Sequence, residues 1–156
     1  MKSTAYAYDL NNNLKSVTYP DGKVGSLTYN GLNMPETVSF NSKALISASA
    51  YGSLKQPTAM TIGNGTTFSA AYNNNGAISS ASLKKSTTTL YSATYGYDNV
   101  GNIKTLTGTA PALNATFGYD ALYRLTSAVY TGGKSYGYTY DNYGNLTGAT
   151  ENKVPV

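Results

Sequence analysis

The sequence predicts an all-β protein: a β-solenoid or spiral sheet of antiparallel hairpins, made of about seven repeats of ~21–22 residues. Three observations carry that prediction. First, an aromatic-led step recurs at Tyr8, Tyr29, Tyr51, Tyr72, Tyr97, Tyr119 and Tyr140, at intervals of 21, 22, 21, 25, 22 and 21 residues. A period held that closely marks an array in which each unit packs on its neighbours. Second, charged residues are only 12% of the chain and Trp is absent, while Tyr supplies sixteen residues and Gly another sixteen. About a quarter charged is usual, and a Tyr ring with a wet hydroxyl suits a sheet in polar surroundings. Third, each clear copy reads strand, turn, strand. Tyr95 and Tyr97 lie two apart on one side of a strand. Asp98-Asn99-Val100-Gly101-Asn102 follows as an Asx and Gly turn, and Ile103–Thr107 resumes as a β-branched strand.

Taken in order, the first unit turns at Asp9–Asn13 before Leu14, and Asp21-Gly22 makes a second turn. Near Pro35 and Pro57 the units lose the turn Gly and carry Pro instead. Gly63-Asn64-Gly65 fits a hairpin turn. Leu83–Thr89 holds the residues that stretch one interval to 25, and is expected to form an enlarged loop. Thr107–Ala115, with Pro111 unfit for a central strand, is expected to be a longer connection. Tyr119-Asp120 and Tyr140-Asp141-Asn142-Tyr143-Gly144 open the last two units. Strands of ~5–6 residues fill such a unit, so seven units give roughly fourteen strands. At ~4.8 Å per strand the ribbon is ~65 Å long, and sheets that wide coil or split as twist accumulates. Ile103 and Leu106 are three apart, as are Leu14 and Val17. Strand periodicity therefore places apolar side chains on both faces, each expected to meet another turn of the spiral or a neighbouring molecule. No domain boundary is visible, so residues 1–156 read as a single array.

Net charge is +4, with the basic residues scattered and only Lys84-Lys85 adjacent, which reads as a mildly basic surface with no specific nucleic-acid partner. The absence of Cys and His removes thiol nucleophiles, the usual general base and most zinc sites. The segment Met1–Asn13 has no apolar core of a signal peptide. No run reaches the ~20 apolar residues of a membrane helix, so no membrane insertion is expected.

The repeated residues closely resemble the YD-repeat, or Rhs, family, whose units read Y-D-x-x-G-[RN]-L-T. The matches are Tyr97-Asp98 with Gly101-Asn102-Ile103, Tyr119-Asp120 with Arg124-Leu125-Thr126, and Tyr140-Asp141 with Gly144-Asn145-Leu146-Thr147; Tyr8-Asp9 opens a variant. An alternative form with a Pro-Thr step runs from Tyr51 through Pro57-Thr58 to Gly65. The resemblance covers essentially the whole chain. It implies a sheet spiralling into a hollow shell, as in bacterial Rhs proteins and toxin complexes of insect pathogens, where the shell encloses a toxin. Animal teneurins use a related barrel in adhesion, and such repeats are associated with carbohydrate binding. The D-P-x-G-type segment of toxin-bearing members has no counterpart here, and seven repeats are few for a closed cocoon.

A search for catalytic groups finds little. Asp9, Asp98, Asp120 and Asp141 share one turn position a whole unit apart, too far for a catalytic carboxylate pair. Ser82-Leu83-Lys84-Lys85 matches S-x-x-K without its companion elements. The Asp-Asn turns lack the several carboxylates of a calcium site. No cofactor, metal or catalytic residue is expected. The expected structural motif is Tyr8, Asp9, Tyr97, Asp98, Gly101, Tyr119, Asp120, Tyr140, Asp141 and Gly144. The reading is a non-catalytic wall or self-assembling filament, extracellular or at the cell surface, of bacterial origin. Its partners are neighbouring repeats or further copies, with an encapsulated toxin domain as possible cargo. The alternative is a carbohydrate-binding adhesion module, with Tyr97 and Tyr140 among the contacts.

Overall fold

The computed structural model describes residues 3–110 and 113–153. Pro111 and Ala112, inside the expected long connection, and residues 154–156 lie outside the described residues. Fourteen strands form one sheet whose spatial order is the sequence order, β1 to β14. They are β1 Ala5–Tyr8, β2 Leu14–Thr18, β3 Val24–Tyr29, β4 Pro35–Phe40, β5 Lys43–Tyr51, β6 Pro57–Ile62 and β7 Thr66–Tyr72. The remainder are β8 Ile78–Lys85, β9 Thr88–Tyr97, β10 Ile103–Gly108, β11 Ala115–Tyr119, β12 Leu125–Tyr130, β13 Lys134–Tyr140 and β14 Leu146–Lys153. The assigned strand pairs are antiparallel. The predicted all-β hairpin array is therefore the observed one. Two units emerge from the internal contacts. The first reaches Ala77 and includes Ser82–Leu90, and the second holds Ile78–Ala81 and the chain from Tyr91 onward.

Each repeat is one hairpin closed by the same turn. The amide four residues after the anchor Tyr donates to the carbonyl one residue after it in all seven repeats, from Asn12 to Asp9 through Gly144 to Asp141. The donor residue always has positive φ: Asn12, Asn33, Lys55, Gly76, Gly101, Tyr123 and Gly144. This is a type I turn closed by a left-handed residue, the three-residue hairpin loop that is followed by a bulge. The expectation for Pro35 and Pro57 is corrected here. They do not replace the turn Gly, whose place is taken by Asn33 and Lys55. Both prolines open strands, opposite Tyr29 and Tyr51, where a missing N–H is tolerated. Lys55 and Tyr123 hold φ of 61° and 62°, a conformation that costs a non-Gly residue about 1–2 kcal/mol. Tyr123 is 59% exposed, so little packing offsets that cost. Tyr123→Gly is expected to raise stability by about 0.5–1 kcal/mol after the entropy of Gly is subtracted, read from the urea midpoint.

The bulge also overturns the two-sided apolar expectation. The β9–β10 register slips between Ile103 and Thr105, so Ile103 faces Tyr97 while Leu106 faces Tyr95. Both therefore share the face of the two tyrosines, although they are three apart in sequence. Leu14 and Val17 do the same opposite Tyr8 and Tyr6. Within the first unit Leu27, Val38, Ile46 and Ile62 follow one another across the sheet, and Met60 faces Phe68 on that same side. Within the second, Tyr95, Leu106, Ala115 and Tyr130 do so, with Phe117, Ala128 and Tyr136 beside them. The opposite face is small and hydroxylic, as in Gly96–Thr105–Thr116 and Gly118–Ser127–Gly137–Thr150. A Cβ on Gly137 would stand 2.9 Å from the Thr150 hydroxyl and one on Gly148 2.8 Å from that of Thr139, so the Ser/Thr hydroxyls fold over glycines across the ladder.

The core is thin. Among the described residues the buried apolar ones are Ala93, Ala115 and Ala128, at 3–5% exposure. Ala115 lies between Leu106 and Tyr130, and Ala128 between Phe117 and Tyr136. Large neighbours cover the small residues while keeping one side of themselves open.

Leu83–Thr89 is not an enlarged loop. β8 runs to Lys85 and β9 begins at Thr88, with Ser86 at φ 52° making the turn. The extra residues lengthen a hairpin instead, because Leu83, Lys84, Thr88 and Thr89 extend as readily as their neighbours and need no loop.

Candidate functional site

The recurring chemistry lies at the turn and at the tyrosine beside it. The first carboxylate oxygen of each aspartate that directly follows an anchor Tyr accepts two backbone amides. For Asp98 these are Val100 at 3.0 Å and Asn102 at 2.9 Å. Asp9, Asp120 and Asp141 repeat the pattern, and Asn30 and Asn73 do it with their Oδ1.

The second oxygen separates aspartate from asparagine. Asp9, Asp98 and Asp141 each receive the side-chain amide of the residue four further on, Asn13, Asn102 and Asn145, at 2.9–3.0 Å. Asp120 receives Arg124 Nε at 2.7 Å. Where the turn residue is Asn30 or Asn73, the matching positions are Met34 and Ala77, whose side chains have no donor to offer. A carboxylate has a second acceptor to satisfy, and an amide NH2 in its place does not, so the two positions vary together. Tyr51's turn begins with Gly52, and the Gln56 side chain fills the vacated space, 3.1 Å from where a Cβ would stand.

These bonds hold the carboxyls below their ordinary range. The Asn13, Asn102 and Asn145 side chains are the main cause for Asp9, Asp98 and Asp141, and the Arg124 amide is for Asp120. Depressed folded values mean that the unfolded chain takes up protons first as pH falls. The stabilisation is full above the ordinary carboxylate value of about 4 and is lost as pH falls through the folded values. Thermal unfolding followed by circular dichroism should give a melting temperature flat above about pH 5 and falling below about pH 4. A variant with all four aspartates changed to Asn should lose most of that dependence.

The anchor tyrosines join one repeat to the next. In the first unit the hydroxyls of Tyr29 and Tyr72 donate to the carbonyls of Leu14 and Pro57 at 3.0 and 2.7 Å, and that of Tyr51 donates to Pro35. In the second, Tyr97, Tyr119 and Tyr140 donate to Ile78, Ile103 and Leu125 at 2.7, 2.9 and 2.8 Å. Every acceptor is the residue that opens the second strand of the preceding hairpin. Arg124 adds a further tie: it lies 4.7 Å over the Tyr140 ring and donates to the Asp141 carbonyl. Tyr8 has no hydroxyl partner among the described residues and is 56% exposed.

The structure thus gives Asp9, Asp98, Asp120 and Asp141 one geometry, Gly101 and Gly144 the left-handed turn position, and Tyr97, Tyr119 and Tyr140 the ladder. It does not bring the aspartates together. Among the described residues no three metal-ligating side chains converge, and no helix is long and apolar enough to cross a membrane. Sequence reasoning missed the partners of the second oxygen, Asn13, Asn102, Arg124 and Asn145. Their fixed spacing of four residues from each aspartate was the available signal.

A sheet of tandem hairpins, each closed by the same turn after an anchor Tyr, most clearly as Tyr-Asp, and tied to the next by a tyrosine hydroxyl, defines a YD-repeat structural protein. Residues 45–155 match the model of the Teneurin YD-shell family, and the chain belongs to that family. Among solved structures it is similar to the Photorhabdus luminescens Tc holotoxin pore carrying the TccC3-D651A mutation, at TM-score 0.80 and 20% identity over 95% of this chain. The TcdB2-TccC3 and TcdB2-TccC3-Cdc42 crystal structures match at TM-scores 0.82 and 0.83, with 21% identity over 96% of this chain. At such identities the likeness concerns the fold. The chain spans 9% of the length of each of these proteins. No curated protein matches it.

Proposed function

We propose that residues 1–156 act as one array forming wall material of a hollow β-shell in a bacterial secreted toxin system, catalysing no reaction. The observation that carries this reading is the repeat-to-repeat ladder: identical turns and tyrosine bonds maintain a sheet with one apolar and one hydroxylic face. Membership of the YD-shell family and the fold shared with Tc toxin proteins support it. A two-faced sheet suits a wall, because its sides meet different surroundings: the Tyr/Leu face suits a confined polypeptide and the Ser/Thr/Gly face suits water. The shell works outside the cell that makes it, and its cargo is a toxin domain.

The test is protease protection in the full natural polypeptide. An enclosed segment should survive protease concentrations that destroy it once the wall is opened by Gly108→Ala. Equal digestion in both forms, or a particle without a cavity by electron microscopy, would overturn the reading.

One feature favours carbohydrate binding as a second reading. A recess of about 460 Å³ is lined by Leu113, Tyr130, Gly132, Lys134, Tyr136 and Tyr138. Tyr130 and Tyr136 meet edge to face at 5.9 Å, and Glu151 accepts from both Tyr136 and Lys134. Such rings and charges suit a pyranose. Tyr97 and Tyr140 have their hydroxyls engaged in the ladder, which makes Tyr136 the better residue to test. Glycan-array retention lost in a folded Tyr136→Ala variant supports this reading, and a blank array removes it.

A further inference from the structure

We propose that the tyrosine-lined recess at β13 is a site for an acidic pyranose, whose anionic substituent takes Lys134 while Glu151 accepts a ring hydroxyl. The proposal rests on the carbohydrate reading and names the class of sugar. The recess opens on the face of the sheet, so a further strand beside β14 would leave it in place.

The cluster departs from the repeat pattern, so the wall does not require it. Four residues before the next anchor, Tyr136 stands where other repeats carry Gly25, Ser47, Phe68, Ala93 and Ala115. Eleven residues after an anchor, Glu151 stands where Tyr19, Phe40 and Ile62 do, which puts a carboxylate at an otherwise apolar position. Tyr136 and Tyr138 are two apart in β13 and share a face. The register sets Tyr136 between Ala128 and Glu151, with the Tyr130 ring edge-to-face against it. The bonds of the ladder come from the anchor tyrosines, so these three rings are left for other work.

The polar atoms select the charge of the ligand. Glu151 Oε1 accepts both the Tyr136 hydroxyl and the Lys134 ammonium at 3.3 Å. Its second oxygen has no partner among the described residues, and neither have the hydroxyls of Tyr130 and Tyr138. An ammonium has three N–H groups, and the Lys134 side chain is 54% exposed. The recess therefore offers donors from Lys134, Tyr130 and Tyr138 and one open carboxylate oxygen. A cationic ligand is repelled by Lys134 and finds Glu151 already neutralised. A neutral sugar gains the rings and the acceptor and leaves Lys134 tied to Glu151. An anionic substituent adds a charge-assisted bond to the ammonium. Lysine is a point charge without the planar fork that selects one anion geometry, so a carboxylate and a sulfate ester share this chemistry.

The test is a chemical-shift titration of the whole chain with glucuronate, glucose 6-sulfate and glucose at low salt. The amides of Lys134, Tyr136 and Tyr138 are expected to move, and the acidic sugars to bind about fivefold tighter than glucose, the worth of one exposed ion pair. The tighter of the two acidic sugars identifies the anion. Lys134→Gln should erase the preference and leave glucose binding unchanged. Glu151→Gln keeps an acceptor for the ring hydroxyl but removes the carboxylate that competes for Lys134, so the acidic sugars should bind about twofold tighter. A purely structural ion pair would instead weaken all three sugars alike in both variants. Equal affinity for the three sugars, or a preference that survives Lys134→Gln, overturns the proposal and leaves the pyranose reading standing. A titration in which no sugar moves these amides overturns both.

Discussion

A Gly108→Ala variant is expected to lose about 3 kcal/mol or more, a large effect for a single methyl group added to this sheet. Gly108 ends β10 opposite Ala93, and its amide donates to Asn114 Oδ1 at 2.7 Å. A Cβ there would lie on the Ser92 carbonyl oxygen. The obstacle is backbone, and no rotamer change relieves it. The same carbonyl accepts the Thr109 amide at 3.1 Å, so moving it also breaks the bond that opens the next connection. Gly63 stands against the Ala44 carbonyl oxygen in the first unit in the same way, and Gly63→Ala should behave alike. Gly31→Ala, where an added methyl meets nothing within 4 Å, should stay within about 0.5 kcal/mol. Urea unfolding followed by circular dichroism reads all three. A Gly108→Ala loss no larger than that of Gly31→Ala would mean that the strand ends shift freely and that the close approach has no energetic weight.

The second large effect lies in the tyrosine ladder. Tyr119→Phe removes the 2.9 Å bond to the Ile103 carbonyl and should cost about 1 kcal/mol. Tyr119→Ala also removes a half-buried ring and should cost about 2–3 kcal/mol, below the range for fully buried aromatics. The Phe variant isolates the hydroxyl, and the difference between the two measures the ring. In an array stabilised by nearest-neighbour contacts, the Tyr119 loss should add to that of Tyr29→Phe, which sits in the other unit. Strong coupling between the two would contradict a modular wall.

Much of this could be read before the structure. The Tyr period located every hairpin, since each anchor ends the first strand of its pair. The Asx turns followed from Asp, Asn and Gly at fixed offsets, because those residues bond their own backbone or accept positive φ. Three readings failed for one reason each. Ile103 and Leu106 were placed on opposite faces because strand periodicity has no term for a bulge that absorbs one residue. Pro35 and Pro57 were assigned to turns, because the sequence does not say that Asn33 and Lys55 adopt the left-handed conformation. The extra length of Leu83–Thr89 suggests a loop, whereas its strand-compatible composition lets it extend a hairpin.

The residues alone determined the repeat, its period, the hairpin and turn of each unit, and the YD-repeat resemblance, because turn chemistry and β-propensity act over a few neighbours. Tertiary structure decided which face is apolar, which carbonyl each tyrosine reaches, and where a methyl group would strike backbone. Those depend on register between strands about twenty residues apart. A single bulge per repeat, invisible to local periodicity, sets that register.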